Sequence, residues 1–356
     1  MPILEIAELK SQVTAIFVAA GASLADARGV AESLVEANLA GHDSHGVIRV
    51  QEYVEAIQKG IIDPRAQPEI TRETPTTLLV DGRRGFGSQV AAWTMDQLIS
   101  RAGSTGMAAA GISRCGHVGR LGVFVQTAAE DGYIALAFVN GGSSTPRVAP
   151  FGGREPIFGT NPLAAAIPTA GEPVVIDFST AAAAAGKIKV ARDAGELLPS
   201  GWIVDRDGRP SCRPQDYYDG GMLLPAAGHK GFALALLVEA LAGLLSGSGS
   251  PLLSDADFAT ANGVFFWILA VNQFQPLERF RADMATLGQR VKSVPPAIPG
   301  RPVCLPGDPE RAARAELSAT GVDLPEPTWR RILNTAAQLN VPMNNSEALT
   351  PLTTQT

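Results

Sequence analysis

The chain has 356 residues, 46% of them hydrophobic, enough for one large or two ordinary domains with a real core. Its formal charge is −6 with no Lys/Arg-rich run, which excludes a basic stripe for a nucleic-acid backbone. Cys115, Cys212 and Cys304 are too widely spaced for a disulfide framework or a CxxC site, and the longest apolar run, 232–245, contains Glu239 and is shorter than the ~20 residues of a membrane span.

Taken in chain order, the first 60 or so residues read as helices. Leu9, Val13, Ile16 and Phe17 keep helical spacing and Gly21 closes that segment. Ser23, with Asp26 three residues on, resembles a capping box opening a helix to about Leu39, with Gly41 past its end. A third helix follows, with Val47, Val50, Val54 and Ile57 on one face. From Thr76 the texture changes. "TTLLVDG", "GMAAAGIS", "GYIALAFVN", "PLAAAIP", "PVVIDFS" and "GVFFWILAVN" read as buried or half-buried strands, with helices near 90–102, 121–131 and 232–245 between them. Pro295, Pro296, Pro299 and Pro302 mark a linker to a helical tail, where Thr328 caps a helix carrying Trp329, Ile332, Leu333 and Ala336. The last residues, "TPLTTQT", read as a frayed end. No charged-then-apolar signal segment opens the chain, and the expectation is a cytoplasmic globular protein.

"ANLAGHDSHGVIR", 37–49, holds two of the four histidines. A cap at Asp43 or Ser44 places His45 in the first turn of the third helix and Arg49 four residues on, on the same face. A partly positive helix start favours nearby anions, an Arg fork suits a carboxylate, and a histidine beside it exchanges a proton with an oxygen on the adjacent carbon. That is the polar outline of a 2-oxo or 2-hydroxy acid site. The competing readings are a capped helix with purely structural His45 and Arg49, and a metal pair of His42 and His45, for which no third ligand stands at a recognisable spacing.

Further segments share one design. "GISRCGHVGRLG" runs from a strand through His117 into a helix. "PVVIDFST" ends a buried strand at Asp177 and is read as starting an Ala-rich helix at Ser179 or Thr180. "GHKGFALAL" sets His229 and Lys230 just before a buried helix. Backbone N–H groups at helix starts, with Lys230, suit a diphosphate, and an Asp at a strand end suits ribose hydroxyls. Neither GxGxxG nor GxxxxGK[ST] occurs, so a nucleotide site here is built without a Rossmann fingerprint or a P-loop.

"GHDSHGVIR", "HVGRLG", "VAPFGGREPIFGTNPLAAAIP", "VVIDFST", "LPSGWIVDRDGRP", "GHKGFALALLVEALAGLLSG" and "LPGDPE", in this order, resemble the malate/L-lactate dehydrogenase family over about 5–340. The "ANLAGHDSHG" and "HVGR" forms look most like its hydroxycarboxylate dehydrogenase B branch. The resemblance implies an α/β, non-Rossmann NAD(P)-binding fold of the L-sulfolactate dehydrogenase-like type, a mixed sheet with helices plus a mainly helical domain. It implies a helical domain of 1–74 rejoined by about 309–356, around an α/β domain of 75–308. It further implies a homodimer and hydride transfer between NAD or NADP and C2 of a 2-hydroxy or 2-oxo acid.

Residue by residue, the resemblance makes His45 the proton donor beside nicotinamide and substrate. It gives His117 an acid/base role and, with the spacing argument, leaves Arg49 on the carboxylate. The implied cofactor contacts are His45, Gly119, Arg120, Asp177, Phe178, Ser179, His229, Lys230, Asn272 and Pro306, Gly307 and Asp308, with no metal. His42 reads as structural. The serine usual two positions before His117 is Cys115 here, and the usual Thr-Ser after the Asp segment is Thr180-Ala181. Reduction of a cyclic imine carrying a 2-carboxylate is the alternative activity, and a metal-dependent hydrolase using His42, His45 and His117 is a more distant one.

Overall fold

The computed structural model describes residues 3–141, 146–250, 253 and 262–343. The terminal "TPLTTQT" lies outside them. The chain forms two compact units, one of Met1–Arg65 with Glu310–Thr356 and one of Ala66–Pro309.

The smaller unit starts with strand β1 (Ile3–Leu4), helix α1 (Ile6–Ala19) and helix α2 (Leu24–Leu39). Leu9, Val13, Ile16 and Phe17 are buried, as their spacing predicts. Ser23 caps α2: its Oγ accepts the Asp26 N–H at 3.1 Å and donates to the Asp26 carboxylate at 2.6 Å. Gly41, at φ +76°, turns the chain out of that helix. Helix α3 spans Val50–Gln58.

In the larger unit, β2 (Glu69–Glu73), β3 (Thr77–Asp81), α4 (Gly87–Thr105), β4 (Met107–Cys115), α5 (Gly122–Glu130), β5 (Tyr133–Asn140), β6 (Pro162–Ile167) and β7 (Val174–Ser179) follow in order. Next come α6 (Ala185–Ala194), the short β8 (Ile203–Val204) and β9 (Pro210–Ser211), α7 (Pro214–Tyr218) and β10 (Met222–Leu223). Then come α8 (His229–Val238), which runs on as a π-helical segment Glu239–Leu245, β11 (Asn262–Ala270) and α9 (Leu277–Lys292). The main sheet has seven strands in the order β2-β3-β4-β11-β5-β6-β7. It is mixed: β3 and β4 are parallel and the other neighbours antiparallel. Because β2 pairs with β3, residues 69–73 belong to this sheet rather than to the helical unit. Strand alternation sends Ala135, Ala137, Ala164, Ala166, Val175 and Phe266 into the core that also holds residues of α4 and α5. The opposite face, with Phe138 and Phe265, packs against Val238 and Ala242.

The chain closes with α10 (Asp308–Thr320), β12 (Val322–Asp323) and α11 (Glu326–Gln338). β12 pairs with β1, and Trp329, Ile332 and Ala336 complete the core of the smaller unit. The cap of α11 is Pro325, one turn earlier than the expected Thr328, which is buried inside the helix. Helix α9 is absent from the sequence-derived elements. It is mostly exposed and buries only Gly288. No helix among the described residues is long and apolar enough to cross a membrane.

Candidate active site

The sequence-derived site residues divide between the units. In the smaller one, the expected helical placement of His45 is corrected. Asp43–His45 is a single 3₁₀ turn, Gly46 is extended, Val47–Arg49 is a second 3₁₀ turn, and only then does α3 begin. His45 and Arg49 therefore do not share an α-helical face. Their link is Ser44. Its Oγ meets His45 Nδ1 at 2.9 Å, and its carbonyl accepts a hydrogen bond from Arg49 Nε at 2.8 Å. Arg49 Nη1 donates to Glu52 at 2.6 Å, so each edge of the guanidinium fork is already half used. His42 Nε2 lies 3.3 Å from Glu310, a carboxylate partner rather than a metal partner. Among the described residues, no group of three or more His, Cys, Asp or Glu could hold a metal ion.

Asn38, which sequence reasoning missed, underlies this loop. It is 2% exposed; its Nδ2 donates to Asp43 at 2.6 Å and its Oδ1 accepts the Val47 N–H at 2.8 Å. A Cβ on Gly46 would stand 2.1 Å from that Oδ1. The available signal was an amide in the last turn of α2, where helix-end residues commonly read only as caps.

In the larger unit His117 lies in the loop from β4 to α5. The loop rests on backbone. A Cβ on Gly87, the first residue of α4, would be 2.1 Å from the Gly116 oxygen and 2.5 Å from that of His117. Gly116 N–H donates to the Gly85 carbonyl at 3.1 Å. Asn262 accepts the Val118 N–H at 3.2 Å and donates to the Asn140 carbonyl at 3.0 Å. Cys115 is fully buried, its Sγ 3.8 Å from the Gly87 carbonyl, and burial pushes its thiol up to about 12.

Asp177 stands on β7 opposite Ala164. Its carboxylate accepts the N–H of Gly122, the first residue of α5, at 2.7 Å, and Arg120 Nε stands 3.9 Å away. It thus ties down the end of the His117 loop through an oxygen that the ribose reading assigned elsewhere. The expected helix start at Ser179 or Thr180 is also corrected. Ser179 Oγ and Thr180 N–H both donate to the Thr160 carbonyl, Ala181 bridges to Pro225, and α6 begins only at Ala185. Extended pairing removes the free N–H groups a helix start would offer. Phe178, on the other side of the strand from Asp177, is partly exposed.

This strand end is joined to the start of α8. Ala226 N–H donates to the Thr180 carbonyl at 2.8 Å, and a Cβ on Gly231 would lie 2.3 Å from the Ala226 oxygen. His229 and Lys230 are both exposed in the first turn of α8, which has no acidic residue, and the Phe151 ring meets the His229 ring edge-on at 5.9 Å. The helix expected to be buried here instead exposes Leu236, Leu237, Leu244 and Leu245. Pro306 accepts the Val175 N–H at 3.2 Å, which sets the Pro306–Gly307–Asp308 segment along the outer edge of β7. Asp308 accepts from Leu305 N–H at 2.8 Å and from Lys292 at 2.7 Å.

Around β7 the fold brings Arg120, which follows Gly119, to Asp177, and the start of α8 with His229 and Lys230 to the end of the strand that holds Phe178 and Ser179, whereas Pro306 meets Val175 near the strand's other end. Asn272 is not among them. It lies beyond Ala270, at the opposite end of β11 from Asn262, about 26 Å of strand away. Asn262, at the end nearer His117, is the amide that braces that loop.

A family model described as malate/L-lactate dehydrogenase matches residues 4–333. The chain is 33% identical to hydroxycarboxylate dehydrogenase B of Escherichia coli O157:H7, covering 96% of this chain and 95% of that one. It is 40% identical to a Δ1-pyrroline-2-carboxylate/Δ1-piperideine-2-carboxylate reductase of Pseudomonas putida over 67% of this chain and 70% of that one. Among solved structures, sulfolactate dehydrogenase from Methanocaldococcus jannaschii superposes with a TM-score of 0.89 at 28% identity, covering 96% and 98% of the two chains.

Proposed function

The chain belongs to the malate/L-lactate dehydrogenase family, and we propose that it is an NAD(P)-dependent oxidoreductase interconverting 2-oxo and 2-hydroxy carboxylic acids. One observation carries the cofactor half of this reading. His229 and Lys230 occupy the first turn of α8 with no acidic residue there. Basic groups at the positive end of a helix are unfavourable alone and become favourable when an anion joins them. A start of this charge fits the diphosphate of a dinucleotide. Lys230→Ala is expected to weaken NADH or NADPH binding about tenfold or more in a folded protein, read by titration of cofactor fluorescence.

A nicotinamide dinucleotide bound by these residues supplies the hydride. In the proposal His45 gives the proton to the C2 oxygen, with Ser44 on Nδ1 holding its ring. Arg49 holds Ser44 and turns its remaining guanidinium hydrogens to the substrate carboxylate. His117 orients the acid or shares the proton, and Asp177 with Arg120 keeps its loop in place.

The Pseudomonas putida relative favours a second reading, reduction of a cyclic imine carrying a 2-carboxylate, in which the proton goes to nitrogen. A panel of 2-oxo acids and cyclic imines, followed at the NADH and NADPH absorbance band, separates the two. Turnover of 2-oxo acids supports the first reading and turnover of imines alone supports the second. No turnover of any panel member with either cofactor overturns both.

The exposed leucines of α8 and its π-helical continuation support a homodimer, since an apolar stripe of this kind is costly in water. Sedimentation at twice the monomer mass is expected, and a monomer at micromolar concentration sinks the idea.

A further inference from the structure

We infer that Asn38 is the positioning residue of the His45 loop, acting through Asp43 and Val47 on either side of the histidine. The inference rests on the proposed role of His45 for its functional meaning, but the geometry stands by itself. A 3₁₀ turn and an extended glycine are poor local anchors, because neither closes a run of helical hydrogen bonds. The loop is instead closed across its base by one buried amide. Asn38 Oδ1 takes the Val47 N–H after His45, and Asn38 Nδ2 gives a hydrogen to the Asp43 carboxylate before it.

The amide's orientation is fixed by its partners: a backbone N–H requires an acceptor and a carboxylate requires a donor. The backbone of Asn38 adds a third tie, its carbonyl accepting the Gly41 N–H at 2.8 Å. Gly46 completes the device, since any Cβ there would displace the amide oxygen. His45 is thereby held between two clamped neighbours.

The chemistry allows a reversal of polarity as the test. Asn38→Asp keeps an acceptor for Val47 but sets its new carboxylate against that of Asp43, which removes the donor and adds like-charge repulsion. Asp43→Asn alone keeps an acceptor for the Asn38 amide. The double variant Asn38→Asp/Asp43→Asn restores the bond between 38 and 43 with donor and acceptor exchanged, and residue 38 still accepts the Val47 N–H.

Hydrogen exchange of the peptide spanning 43–49 and carbethoxylation of His45, both read by mass spectrometry, report loop closure without reference to turnover. Asn38→Asp is expected to exchange and to label roughly tenfold faster, Asp43→Asn close to wild type, and the double variant within about threefold of wild type. In 2-oxo acid reduction, kcat should fall in Asn38→Asp and recover in the double variant, while NADH affinity stays level throughout. If Asn38→Asp does not fold, the double variant still decides. A double variant that folds with wild-type protection supports the inference. One that does not fold, or whose 43–49 segment stays open, overturns it. A wild-type protein inactive on every substrate refutes the proposed function, and the exchange and labelling data then judge Asn38 by themselves.

Discussion

The two histidine loops are held by different physics. The loop around His45 is tied by side chains: the buried Asn38 amide, Asp43, Ser44 and Arg49. The loop around His117 is tied mainly by backbone lying on backbone, with Gly87 under Gly116 and His117 and Gly85 bonded to Gly116. The side chains of Asn262 and Asp177 pin it from outside. A side-chain brace is sensitive to hydrogen-bond chemistry and tolerates small shifts. A backbone contact is indifferent to chemistry and intolerant of a single added carbon.

The largest expected effect tests which loop carries the proton. His45→Asn should lower kcat for 2-oxo acid reduction by about 10²- to 10⁴-fold, the usual contribution of a general acid, with the fold intact. In the wild type, reduction should fall as alkali removes the imidazole proton, and oxidation of the hydroxy acid should rise. If His45→Asn keeps wild-type kcat and pH dependence while His117→Asn loses both, the assignments are exchanged.

Next comes the backbone contact. Gly87→Ala forces a carbon to within 2.1 Å of a carbonyl oxygen that cannot rotate away. A loss of about 3 kcal/mol or more is expected, read as a drop in Tm or in the denaturant midpoint. An unchanged midpoint would show that the His117 loop is not held in this way.

Arg49→Lys should follow. Lysine cannot hold Ser44 and Glu52 together in one planar fork, so kcat/KM should fall about 10- to 100-fold with cofactor affinity nearly constant. The loss belongs to the Ser44 bond and the proposed grip on the substrate carboxylate rather than to Glu52, which is exposed and whose pair is worth little. Glu52→Gln is therefore expected to be almost silent, and a large loss there would reverse this apportionment.

The smallest effect concerns Cys115. Burial pushes its thiol up to about 12 and closes it off from solvent, so alkylating reagents at pH 8 should leave it unlabelled in the folded protein while reaching exposed Cys304. Rapid labelling of Cys115 would mean that the floor of the His117 loop opens in solution.

The local order of this molecule is written in the sequence. Apolar spacing placed the core face of α1, the Ser23–Asp26 pair marked the start of α2, and alternating or continuous apolar runs located β3 to β7 and β11. The ordered motifs were sufficient to identify the family. These signals survive without a structure because each depends on neighbours a few residues apart. Tertiary structure decided what depends on partners far away in the chain. It set β11 antiparallel between β4 and β5, which puts Asn262 rather than Asn272 against the His117 loop. It bound the Asp177 carboxylate to Gly122, 55 residues earlier, and drew Ser179 and Thr180 into extended pairing instead of a helix. It also replaced the expected first turn of α3 with two 3₁₀ turns around an extended Gly46, where the Val47 N–H finds its partner in the buried amide of Asn38, nine residues earlier.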